Sequence, residues 1–137
     1  MDIFQKLAHI NMKEIINTNQ APAPIGPYNQ AVKAGNTLYI SGQIPLSPET
    51  NELIVGDIAG ETKQVLENLH AILMAADYSF ADVVKTSIFL SDMANFGAVN
   101  EVYAEYFTEN APARETVAVK GLPKGVNVEI SLIAWKA

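Results

Sequence analysis

Residues 112–130, PARETVAVKGLPKGVNVEI, decide how the sheet is read, because two alternating apolar segments there each carry a charge. RETVAVK at 114–120 and VNVEISLIAW at 126–135 are separated by the turn-forming run Gly121, Leu122, Pro123, Lys124, Gly125. Successive side chains of a strand point to opposite faces, so Arg114, Thr116 and Ala118 share one face of the first segment. Val126, Val128, Ile130 and Leu132 share one face of the second, which leaves Glu129 on the other. If the segments pair directly as a hairpin, with Val117 and Val119 on the face of Val126, Val128 and Ile130, then Arg114, Thr116 and Glu129 come to one shared face. A third strand lying between them is the alternative.

A chain of 137 residues, 49% hydrophobic, suits one domain that buries a core without metal or disulfide staples. The absence of cysteine excludes a disulfide framework and a thiolate nucleophile and fits a reducing, cytoplasmic compartment. A net charge of −6 and nine scattered basic residues argue against a binder of nucleic-acid backbones. No apolar run reaches the ~20 residues that span a bilayer, so no membrane role is expected. The opening MDIFQKLAHIN contains Asp2 and a single Lys6 and lacks the apolar stretch of a signal peptide. Residues 1–11 read as an extension ahead of a single domain at 12–137.

Outward from the opening stretch, KEIINT reads as a short strand, followed by the proline-fixed loop NQAPAPIGPYNQ with Tyr28 near its end. Residues 30–44 read as a hairpin turning at Ala34-Gly35-Asn36 and ending at Ser41-Gly42. A helix is predicted from about Asp57, its cap, to about Asp77, with Val65, Leu66, Leu69, Ile72, Leu73 and Ala76 inward and Glu61, Lys63, Gln64 and Glu67 outward. DVVKTSIFL at 82–90 reads as a strand, and Asp92 offers a cap for a second helix along Phe96, Val99, Tyr103 and Tyr106. The order β-β-β-α-β-α-β-β predicts an α+β two-layer sandwich with a mostly antiparallel sheet and both helices on one face. Its second face, rich in Val, Ile and aromatic side chains, calls for self-association.

The candidate chemistry is sparse. Arg114, stiffened by Pro112, suits a bidentate grip on a carboxylate or phosphate, or else an ion pair with Glu129 or Glu115. Glu129 in mid-strand is either paired or kept for proton transfer. Tyr28 is a ligand contact or a loop anchor, and Ser41-Gly42 offers a hydroxyl and a backbone N–H or only a turn. His9 and His70 lack ligand-spaced partners, so no metal site is expected. No phosphate-cradling or dinucleotide motif is present, so no cofactor is expected.

APAPIGPYNQAV at 21–32, LYISGQIPLSP at 38–48, DVVKTSIFLSDM at 82–93, FGAVNEVYAEYF at 96–107, then PAR and GVNVEI, together resemble the RidA/YjgF family of enamine/imine deaminases. The resemblance covers about Met12 to Ala137. It implies a chorismate-mutase-like fold with a six-stranded sheet, a homotrimer packed through its sheets, and active sites in the clefts between subunits. It implies that Arg114 clamps the substrate carboxylate and Glu129 positions and activates water, with Tyr28, Ser41, Gly42 and Thr116 lining the pocket. The implied substrates are 2-enamines and 2-imines such as 2-aminoacrylate, hydrolysed to 2-keto acids and ammonia without metal or cofactor. Thr116 stands where many members have cysteine, and Glu115, where a small or uncharged residue is usual, points away from the pocket by alternation. The competing expectations are a trimer that binds metabolites or acts as a chaperone without turnover and, weakest at this charge, a nuclease or translation inhibitor.

Overall fold

The element order follows the alternation of the sequence. In a computed structural model, which describes residues 2–4 and 13–137, the strands are β1 (Glu14–Ile16), β2 (Ala31–Ala34), β3 (Thr37–Gln43), β4 (Val83–Leu90), β5 (Ala113–Ala118) and β6 (Val128–Trp135). The helices are α1 (Ile58–Ala75), between β3 and β4, and α2 (Phe96–Tyr106), between β4 and β5. The sheet order is β1-β2-β3-β6-β4-β5, with β5 parallel to β4 and the other neighbours antiparallel. The expected extension at residues 1–11 lies outside the described residues except for residues 2–4.

Local chemistry sets the element ends. Asp57 caps α1 by accepting a hydrogen bond from the Gly60 N–H. Ala34 pairs with Thr37 across a two-residue Gly35-Asn36 turn, and Gly35 takes φ +60°, a region that favours glycine. Asp92 caps a short 3-10 turn, Met93–Asn95, instead of α2 itself, which begins at Phe96. Between sheet and helices, Leu38, Ile40, Ile88, Leu90, Val128, Ile130 and Leu132 meet Val65, Leu66, Leu69, Ile72 and Leu73 of α1 and Val99, Val102 and Tyr103 of α2. Each such side chain contributes about 1.5–3 kcal/mol by leaving water.

Three expectations are corrected. The segments around Arg114 and Glu129 do not form a hairpin, because β4 lies between β5 and β6. β5 joins β4 in parallel, a connection that needs a crossover, and α2 supplies it. Second, Arg114 and Glu129 do not share a face. Thr86 aligns with Arg114 on one side and with buried Leu132 on the other, whereas Phe89 aligns with Val117 and Glu129. Arg114 and Thr116 therefore belong to the helix-covered face and Glu129 to the bare one. Both faces of this sheet are apolar, so alternation sorts β5 into two sets without telling which set meets the helices; Val117 lies on the bare face. Third, Glu61 of α1 is buried at 5% exposure, and its carboxylate accepts from Asn127 Nδ2 at 3.0 Å.

The bare face carries a row of Ile15, Val32, Tyr39 and Ile133 across β1, β2, β3 and β6, with Phe89 and Val117 alongside. Glu115 faces this side, as alternation requires, and binds Lys85 Nζ at 2.9 Å and the Ser87 hydroxyl at 2.6 Å. Those two partners hold its carboxyl below the usual carboxylate range, with the Ser87 hydrogen bond the largest cause. Among the described residues no helix is long and apolar enough to cross a membrane.

Candidate active site

The first cluster forms where β5, the edge strand, passes beside α2. Arg114 is solvent-exposed and its Nη1 donates to Asn100 Oδ1 at 2.8 Å. Its guanidinium carbon lies 4.8 Å from the centre of the Tyr103 ring and 5.6 Å from that of Phe96. No carboxylate neutralises it: the ion pairs among the described residues are Lys85–Glu115 and Lys136–Asp77. A guanidinium has five N–H donors, and the Asn100 bond occupies one of them. Two residues along β5, on the same face, the Thr116 hydroxyl is buried with no hydrogen-bond partner. An orphaned hydroxyl beside a cation is a place where a ligand or water oxygen would be stabilised.

The second cluster forms on the bare face around β6. Glu129 is half-buried, and burial raises its carboxyl above the usual carboxylate range. Beside it β3 bulges: Ile40 aligns with Leu132 and Gln43 with Ile130, so three steps on β3 match two on β6. Gly42 lies in that bulge, and a Cβ there would stand 2.8 Å from Glu129 Cδ. Ser41 donates its hydroxyl hydrogen to the Asn29 carbonyl at 2.7 Å and its N–H to the Gln30 carbonyl at 2.9 Å. These two bonds tie down the loop that carries Tyr28, which is exposed and whose hydroxyl accepts from the Ile25 N–H at 3.3 Å.

Of the six residues singled out in the sequence, the chain thus gathers Arg114 with Thr116, and Glu129 with Gly42, Ser41 and the Tyr28 loop. The sheet separates the two groups. Sequence reading missed Asn100, Tyr103 and Thr86, whose Oγ1 lies 2.8 Å from the Tyr103 hydroxyl. The i, i+3 spacing of Asn100 and Tyr103 places an amide and a ring on one helix face. Nothing in the spacing connects that face to residue 114 until the β4-α2-β5 crossover is known. His70 stacks on Phe80 at 5.6 Å, while His9 lies outside the described residues. Among the described residues no three His, Asp or Glu side chains gather as metal ligands would.

The chain is similar to known proteins along almost its whole length. The family model described as endoribonuclease L-PSP matches residues 18–136. A RutC family protein of Pyrococcus horikoshii is 58% identical over 125 residues, which cover 91% of this chain and 99% of the relative. The 2-iminobutanoate/2-iminopropanoate deaminase of Mus musculus is 49% identical over 90% of this chain and 91% of its own. The crystal structure of TdcF from E. coli with bound serine superposes with a TM-score of 0.87 at 41% identity, covering 90% of this chain and 99% of that one. On the family model and these relatives together, the chain belongs to the RidA/YjgF family.

Proposed function

We propose that the protein hydrolyses 2-imino acids, and the enamines that tautomerise to them, to 2-keto acids and ammonia. The observation that carries this reading is the unneutralised Arg114, fixed by Asn100 on the same face as the orphaned Thr116 hydroxyl, together with a desolvated Glu129 that no cation among the described residues pairs with. The mouse relative's name and the amino acid bound by TdcF favour a small substrate with a carboxylate. Arg114 anchors that carboxylate by charge-assisted hydrogen bonds. Protonation of C3 of 2-aminoacrylate gives 2-iminopropanoate. Water then attacks C2 while Glu129 accepts its proton, and the same group returns a proton to the amine as the C2–N bond breaks. Pyruvate and ammonia result, with one water consumed. A carboxyl with a raised pKa suits this exchange, because both of its protonation states are then accessible closer to neutral pH.

Arg114 and Glu129 lie on opposite faces of one sheet, so a complete site joins the Arg114 cluster of one copy to the Glu129 cluster of another. A homotrimer packed through the apolar bare faces meets that need and covers Ile15, Tyr39, Ile133 and Val117. The absence of cysteine fits a reducing, cytoplasmic setting. The test is release of pyruvate and ammonia from 2-aminoacrylate generated by a dehydratase in the same cuvette. Wild type accelerates release and Arg114→Ala does not. Carboxylate binding without acceleration by wild type would make the protein a metabolite-binding module instead.

A further inference from the structure

Resting on the carboxylate-anchoring reading of Arg114, we infer that Tyr103 is a positioning residue: its ring is the platform that preorganises the Arg114 guanidinium. An exposed arginine on an edge strand has many rotamers open to it, and each one lost on binding weakens the complex. Here two contacts restrict that freedom, and both come from α2. Asn100 Oδ1 accepts from Nη1 at 2.8 Å, and one turn later the Tyr103 ring lies 4.8 Å from the guanidinium carbon. That ring is itself held. Tyr103 is 5% exposed, its hydroxyl is 2.8 Å from Thr86 Oγ1, and it stacks on Phe107 with ring centres 4.4 Å apart and planes 30° apart. Burial pushes its phenol up, opposed by the Thr86 hydrogen bond and the positive Arg114, so the hydroxyl stays protonated and the ring remains a neutral π surface. A chain of fixed contacts thus runs from Thr86 in the sheet core through Tyr103 to the guanidinium. Phe96 lies farther off at 5.6 Å and on the exposed rim, so it supplements the platform without fixing it.

Loss of the ring frees the guanidinium in both the ground state and the transition state, which raises KM and leaves kcat in place. The experiment compares wild type, Tyr103→Phe and Tyr103→Leu in the 2-aminoacrylate assay, with 2-oxobutanoate binding measured in parallel by calorimetry. Tyr103→Leu is expected to raise KM and the 2-oxobutanoate Kd about fivefold, the upper scale of a cation–π contact at an exposed arginine, with kcat within about twofold. Tyr103→Phe keeps the ring and its Phe107 stack and loses only the hydroxyl's contacts, so KM and Kd rise less than in Tyr103→Leu. If Tyr103→Leu does not fold, Tyr103→Met, of similar volume but unbranched and more adaptable, carries the same expectation. An unchanged KM and Kd in the ring-less variant, or a Tyr103→Phe chain as impaired as it, overturns the inference alone. Wild type that neither binds 2-oxobutanoate nor accelerates imine hydrolysis overturns both the inference and the function on which it rests.

Discussion

The carboxyl group of Glu129 fills the space that a side chain at residue 42 would need: a Cβ on Gly42 would lie 2.8 Å from Glu129 Cδ and 3.0 Å from Cγ and Oε2. Gly42 is therefore required by its neighbour, because its φ falls outside the positive range. Gly42→Ala must push Glu129 aside. The atoms displaced are the end of a flexible, half-buried side chain, so the cost in stability stays at or below about 1 kcal/mol, while a displaced reacting group loses activity on the order of 10²-fold. Denaturant midpoints and kcat measured on the same preparation check both; a folded Gly42→Ala chain with wild-type kcat would show that the placement of Glu129 is immaterial.

Replacing Glu129 should have opposite effects on activity and stability. Its carboxyl is raised in the folded state by burial, from a reference of 4.5, so the folded chain holds that proton more tightly than the unfolded one. The associated stability is present in full below about pH 4.5 and is lost as pH rises through the folded-state value. Glu129→Gln escapes this loss. Its Tm should exceed that of wild type at pH 7 and converge with it as pH falls towards 4.5, while activity drops about 10²–10⁴-fold for want of a proton-transfer group. The acid limb of kcat/KM in wild type should fall above pH 4.5.

Thr116→Val exchanges a hydroxyl for a methyl of nearly the same size. The Thr116 hydroxyl is buried without a partner in the free chain, so its removal should stabilise the protein by about 1 kcal/mol. If that hydroxyl serves a bound carboxylate or water, KM rises about fivefold, the value of one neutral hydrogen bond. Thermal unfolding and KM on one sample separate the two effects.

The elements were legible in the sequence where a local signal decided them. Asp57 begins α1 because a carboxylate caps free N–H groups, and Gly35-Asn36 closes the β2–β3 hairpin because that turn tolerates positive φ. The faces were not legible. Arg114 and Val117 occupy opposite sides of β5, and deciding which side meets α2 needs the position of β4, a matter of non-local pairing. Glu61 misled for a related reason: its place in the helical wheel marks it as polar, whereas the partner that makes its burial tolerable, Asn127, is 66 residues away. Of the candidate site, Arg114 and Glu129 stood out as charges in apolar strands. Asn100 and Tyr103 did not, because an asparagine and a tyrosine in an amphipathic helix look the same whether or not an arginine rests on them.

The central claim is that Arg114 of one copy works with Glu129 of another, across the boundary between the apolar sheet faces. Inactive Arg114→Ala and inactive Glu129→Gln chains, unfolded together and refolded at equal ratio, test it most directly. In a closed trimer with one site per boundary, random assembly reunites an intact Arg114 with an intact Glu129 at about one site in four. The mixture is predicted to recover about a quarter of wild-type 2-aminoacrylate hydrolysis per site. Recovery of none, from mixed assemblies verified by mass, would contradict a site shared between copies.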